Sequence, residues 1–145
     1  MKRVLLLTTF LSLIAMAALA SPTLEVREPW VREPNPARPI GAAFMVLENT
    51  GDTPITVVGA SSKAAEVVEI HEMSMSDGVM KMRMIESLEI PAHSSVKLEP
   101  GGYHLMLIRL TGELKDGDSV EIDLKLAGDQ VVTVTAPVKK AEMQH

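Results

Sequence analysis

Aspartate followed by glycine at positions 77–78, set between two alternating runs, restricts this chain more than any other feature. A tight hairpin turn needs central residues that tolerate positive φ, and Asp-Gly supplies both. Closing the chain at Asp77-Gly78 fixes the pairing of the flanking strands, His71–Ser76 and Val79–Met84. Met75 then faces Met80, Met73 faces Met82, His71 faces Met84, and Glu72 faces Arg83. Alternate residues of a pleated strand share a face, so His71, Met73, Met75, Met80, Met82 and Met84 project to one side. Glu72, Ser74, Lys81 and Arg83 take the other, and the Glu72/Arg83 pairing favours the register. One histidine and five methionines thus share one face of a fourteen-residue hairpin.

The remaining punctuation is also that of an all-β chain. Leu24-Glu-Val-Arg27 opens a strand, and Trp30 follows at the start of a loop broken by Pro34, Pro36 and Pro39. Strands are expected at Ile40–Glu48, Ile55–Ala60, Val67–Met75, Val79–Glu86, Tyr103–Leu110, Ser119–Leu126 and Gln130–Val138. Turn clusters separate them, among them Asn49-Thr-Gly-Asp52, Pro100-Gly-Gly102, Leu114–Asp118 and Gly128-Asp129. Ser61–Glu66 reads as a polar turn with at most one turn of helix. Short strands with turns every eight to twelve residues or so indicate a β-sandwich or small barrel, here one domain. Val68 and Ile70 lie on the parity opposite to His71 and Met73. Either a bulge near Ile70 or a hairpin projecting past the core would reconcile the two.

Lys2-Arg3, the apolar run Val4–Leu19 and Ala18-Leu-Ala20 have the form of a secretory signal cleaved after about Ala20. We therefore expect residues 1–20 to be a signal peptide, 21–138 the folded domain, and 139–145 a short flexible tail. Periplasmic export follows, with no membrane span after cleavage. Without Lys2 and Arg3 the 14 basic residues become 12 against 19 acidic ones, a net charge near −7, which argues against nucleic acid. Cysteine is absent, which excludes thiol nucleophiles, redox dithiols, lipobox-type lipidation and a blue-copper centre.

A second His/Met pair follows Pro100-Gly-Gly102. His104 and Met106 share a strand face, while Tyr103, Leu105 and Leu107 take the face expected to be buried, leaving His104 and Met106 looking outward or toward one end. Neutral imidazole with thioether selects Cu(I) and disfavours hard cations; zinc prefers Cys, His and carboxylate. Met45 and Met80 read as adaptable core filler, and His93 as a solvated loop residue. Two of the four histidines standing two residues from a same-face methionine is what turns the reading toward a metal.

His71, ten residues, Met82, twenty-one residues, then His104-Leu-Met106 resembles the motif of the periplasmic copper chaperones called PCu(A)C. The likeness extends over almost the whole exported part, through Trp30-Val-Arg32, Gly41–Asn49, Pro100–Met106 and Leu114–Asp118. It implies a cupredoxin-like Greek-key β-sandwich and one Cu(I) per chain held by His71, Met82, His104 and Met106; the hairpin register, which sets Met73 directly opposite Met82, makes Met73 the substitute ligand. It further implies a monomeric carrier, not an enzyme, that passes copper toward the copper-bearing subunit of cytochrome c oxidase or a Sco-type protein. A sequestering or tolerance protein with the same site is the alternative. The His/Met-rich C-terminal extension of some members is reduced here to Glu142-Met-Gln-His145, so a second copper site is not expected there.

Overall fold

The computed structural model describes residues 23–141, in ten strands and no helix. They are β1 (Leu24–Arg32), β2 (Ile40–Asn49), β3 (Ile55–Ser61), β4 (Ala65–Ser76), β5 (Val79–Ile85), β6 (Leu88–Ile90), β7 (Ser94–Leu98), β8 (Tyr103–Leu110), β9 (Ser119–Leu126) and β10 (Gln130–Lys139). The expected signal peptide lies outside the described residues, as do positions 142–145 of the expected tail. Strand β10 runs one residue past the expected boundary, with Lys139 paired to Arg32.

The sheet runs β5-β4-β8-β7-β2-β1-β10-β9-β3-β6, and pairings of β4 with β3 and of β8 with β2 close it on itself. Closure leaves only β5 and β6 hanging off the ring, so most strand edges are satisfied without a covering helix. The interior is filled by one alternating set per strand: Ala43, Met45 and Leu47 from β2, Val68 and Ile70 from β4, Leu105 and Leu107 from β8, and Val120, Ile122, Leu124 and Leu126 from β9. Met45 is core filler as expected. Met80 is not: it is half-exposed on the hairpin, where no core exists to fill.

The parity conflict on β4 resolves without a bulge. Pairing with β8 is continuous from Val67↔Ile108 to Glu72↔Tyr103, and pairing with β5 from Ile70↔Ile85 to Ser76↔Val79. Val68 and Ile70 point into the ring while His71 and Met73 point out, and beyond Met73 the β4–β5 hairpin extends past the body of the sheet. All cross-strand partners occur as the Asp-Gly turn dictates, including Glu72↔Arg83, whose side chains meet at 2.7 Å. Asp77 and Gly78 adopt φ of 52° and 75°, the left-handed pair a primed two-residue turn requires.

Trp30 departs from expectation, for it lies within β1 instead of opening a loop. The register of β1 against β2 shifts between Arg27 and Trp30, with Glu28 at φ 50°. This bulge inverts the strand's parity. Leu24 and Val26 face inward before it, and Val31 faces inward after it. Trp30 is thereby turned onto the outer wall beside Phe44. Ser61–Glu66 carries no helix; it closes the β3–β4 turn.

Candidate metal centre

The outer wall of the ring is where both His/Met pairs converge. Register partners in an antiparallel sheet share a face, so Trp30 and Phe44 stand together, as do His104, His71 and Met84, and Phe44, next to the Ala43↔Leu105 pair, joins the two sets into one transverse row. The ring contacts agree: Trp30 to Phe44 at 4.7 Å, Phe44 to His104 at 6.4 Å, and His71 to His104 at 5.7 Å between centroids. The next row runs Arg32, Ala42, Met106, Glu69. Arg32 lies over the face of Phe44, 5.1 Å from its centroid, and closes that side.

His104 thus faces outward, as strand alternation suggested, yet it does not meet solvent. It is only 5% exposed, because Phe44, brought level by β2 and covered by Trp30, walls off one side and His71 the other. Burial lowers its pKa below the ordinary 6.5 as the largest cause. The Gly102 carbonyl opposes that shift, while His71 and Arg32 add to it. The neutral, ligating form is the one favoured.

The hydrogen bonds fix which nitrogen of each ring is free. His104 Nδ1 donates to the carbonyl of Gly102 at 3.2 Å, leaving Nε2 with its lone pair. The same carbonyl accepts the backbone N–H of Met73 at 3.1 Å, which ties the hairpin to the loop before β8. His71 Nε2 donates to Glu69 Oε2 at 2.7 Å, leaving Nδ1 as the lone-pair atom. That Nδ1 is buried and has no hydrogen-bond partner. A buried unpaired acceptor is costly unless something binds it. Each imidazole thus has one nitrogen held by an oxygen and the other free, the arrangement that orients histidine toward a metal.

The four residues singled out in the sequence are brought together unevenly. His71 and His104 are register partners. Met106 stands one rung along β8, opposite Glu69, half-buried on the same face. Met82 stands one rung the other way, opposite Met73 and diagonal to His71, and is 48% exposed. On a flat sheet with strands ~4.8 Å apart and a rise of ~3.3 Å per residue, the Cα atoms of Met82 and Met106 would be about 16 Å apart. Both sulfurs reach one ion only if the projecting hairpin curls over the histidine pair. Met84 occupies the histidine row itself, opposite His71 as the hairpin register requires. Trp30, Phe44, Arg32 and Glu69 were missed as components of the site. Among the described residues no group of three or more His, Asp or Glu converges as a metal site, so the carboxylate-rich sets that hard cations require are not assembled there.

The sequence profile of the LpqE-like family matches residues 24–138. The chain belongs to this LpqE-like, PCu(A)C family. A relative in Leifsonia xyli subsp. xyli, named as a lipoprotein (Lxx21020), is 34% identical over 117 residues, 80% of this chain and 69% of its own. The solution structure of the Cu(I) form of DR1885 from Deinococcus radiodurans is 34% identical, with a TM-score of 0.66 over 88% of this chain and 85% of that one. The copper-bound PCuAC domain of PmoF2 superposes with a TM-score of 0.71 over 84% of this chain and 97% of that domain; at 23% identity it speaks for the shared fold. The all-β, cupredoxin-like, single-domain architecture is thus the family's. None of the described residues forms a helix long and apolar enough to cross a membrane.

Proposed function

We propose that this protein binds one Cu(I) ion through His71, His104, Met106 and Met82 and carries it outside the cytoplasm, releasing it by ligand exchange. The observation that carries the reading is the histidine pair. Two register-partnered imidazoles each have one nitrogen anchored, and the free Nδ1 of His71 is buried and unpaired. Thioethers on the same face make the set soft and uncharged, which suits a monovalent ion. The Cu(I) bound by DR1885, at 34% identity, supports the same cargo here. Exposure of Met82 leaves one side open to an acceptor's ligands, as a carrier requires. Thioether-rich ligation disfavours cycling to Cu(II), so the reading is a chaperone and not an oxidase.

The acceptor we propose is the copper-bearing subunit of cytochrome c oxidase, reached directly or through a Sco-type protein, and the carrier acts as a periplasmic monomer. Titration of the purified protein with Cu(I) under reducing conditions tests the site. One tightly bound equivalent is expected at the histidine pair, binding ahead of Zn²⁺ in competition and without intense blue colour on addition of Cu(II). Equal or tighter Zn²⁺ binding overturns the reading. Gene deletion separates delivery from sequestration: loss of oxidase activity at low copper supports delivery, and copper sensitivity alone supports a tolerance role.

A further inference from the structure

The histidine row accounts for only part of the hairpin. Its outer face continues through two more rungs toward the turn, Met73↔Met82 and Met75↔Met80. These methionines do not pack a core. Of the eight large apolar side chains exposed among the described residues, five belong to this hairpin: Met75 (69%), Val79, Met80, Met82 and Met84. Exposed apolar side chains concentrated on one short element call for a reason beyond packing. Nor does the register demand them, since Glu72–Arg83 and Ser74↔Lys81 make the opposite face polar. What the four side chains share is a thioether. Each pair stands directly across the ladder, with Cβ atoms ~4.5–5.5 Å apart. Three rotatable bonds per side chain let two sulfurs close on one ion.

We infer that the end of the hairpin is a second, weaker soft-metal site, in which Met75 and Met80 hold a monovalent Cu(I) or Ag(I) ion. Met73 and Met82 form the rung through which that ion passes to the histidine pair. The inference rests on the proposed copper-carrying function and deepens it, by assigning the route of entry and exit. Successive rungs lie ~6.7 Å apart, two residues of strand rise, so flexible thioethers of neighbouring rungs can share an ion during exchange. The two sites differ in kind. The inner one contains imidazole, which must lose its proton to ligate, whereas the outer one contains only thioether, which does not titrate.

The test is a titration of the purified protein with Cu(I) kept reduced by ascorbate, and separately with Ag(I), followed through the methionine methyl and histidine ring resonances. The first equivalent is expected to shift the His71 and His104 rings together with Met82 and Met106. A second, weaker equivalent is expected to shift the Met75 and Met80 methyls, with an affinity unchanged between pH 7.5 and 5.5. The double variant Met75→Leu/Met80→Leu should bind the first equivalent as before and lose the second. A protein that takes one equivalent at the histidines and leaves the Met75 and Met80 methyls unmoved overturns the outer site while sparing the proposed function. So does a double variant that retains the second equivalent. Binding at the methionines without any response of the histidine rings overturns the proposed function instead and keeps the outer site. Absence of binding altogether overturns both.

Discussion

Two ends of one hairpin carry the same kind of alternation and meet opposite fates. At the base, His71 lies against His104 on the outer wall of the closed ring, beside Phe44 and Trp30, with tautomers fixed by Glu69 and Gly102. At the tip, Met80 and Met82 stand about half exposed and Met75 more so, held only by the two-stranded ladder. Nitrogen donors are preorganised; sulfur donors are left adaptable. Rigid orientation favours tight binding of the ion, while flexible, accessible thioethers favour its exchange. A carrier needs both, and here they are separated along one strand pair.

Breaking the rigid end should have the larger effect. His71→Leu and His104→Leu are each expected to lower Cu(I) affinity by at least about 100-fold, the upper end of what losing even an outer-shell partner costs. Competition against a Cu(I) chelator measures it, and a loss no larger than that of any single methionine variant would erase the proposed difference between the two ends. Met82→Leu and Met106→Leu come next, at ~10-fold or more. As volume-conserving swaps they should cost less than about 1.5 kcal/mol in stability. Met80→Leu should leave the first equivalent nearly unchanged. Met84→Leu sharpens the comparison, because Met84 shares the histidine row while the sequence spacing selects Met82. If Met84→Leu weakens binding more than Met82→Leu, the ion sits squarely on the row and the hairpin does not curl.

Much of this geometry was legible because hairpin chemistry is local. Asp77-Gly78 fixed the register, and with it every methionine pairing and the Glu72–Arg83 contact. The strand set was legible for a related reason, since Gly, Pro and Asn punctuate an all-β chain. What escaped the sequence depended on long-range pairing. The burial of His104 follows from β2 delivering Phe44 beside it, a contact between residues sixty positions apart. The presence of Trp30 on that wall follows from a bulge at Glu28, for which no local turn signature exists. The parity conflict at Ile70 was visible, yet only the closed sheet shows that the strand outruns its core. His71-Glu-Met73 hid the role of Glu69 as well, because two residues back on the same face means an acceptor only when the side chains are seen to meet.

A smaller effect is expected from that acceptor. Glu69→Leu removes the oxygen that holds His71 Nε2, so the ring loses its fixed tautomer while both nitrogens remain. Affinity for Cu(I) should fall about 10-fold, near the lower end for such partners, because Glu69 is partly exposed and water can replace its oxygen. Nitrogen chemical shifts of the His71 ring should move toward a tautomer mixture, whereas those of His104 stay put. Unchanged shifts would mean that the 2.7 Å contact does not orient the ring.

The smallest effect concerns pH and the metal-free protein. His104 has its pKa lowered in the folded state, chiefly by burial, while in the unfolded chain an imidazole titrates near about 6.5. As pH falls through that value, the unfolded chain takes up a proton that the folded ring resists. Proton binding then favours unfolding, and stability declines until the lower folded pKa is reached. Above about 6.5 both states are neutral at this residue and the contribution is flat. Metal-free protein should therefore show a thermal midpoint that is level from pH 8 to 7 and drops modestly by pH 5.5. His104→Leu should lose most of that slope, because its replacement binds no proton in either state. Met82→Leu, at the adaptable end, should keep the slope of the parent protein. A slope that survives His104→Leu would assign the pH response elsewhere and remove the buried imidazole as the point at which acid acts on this fold.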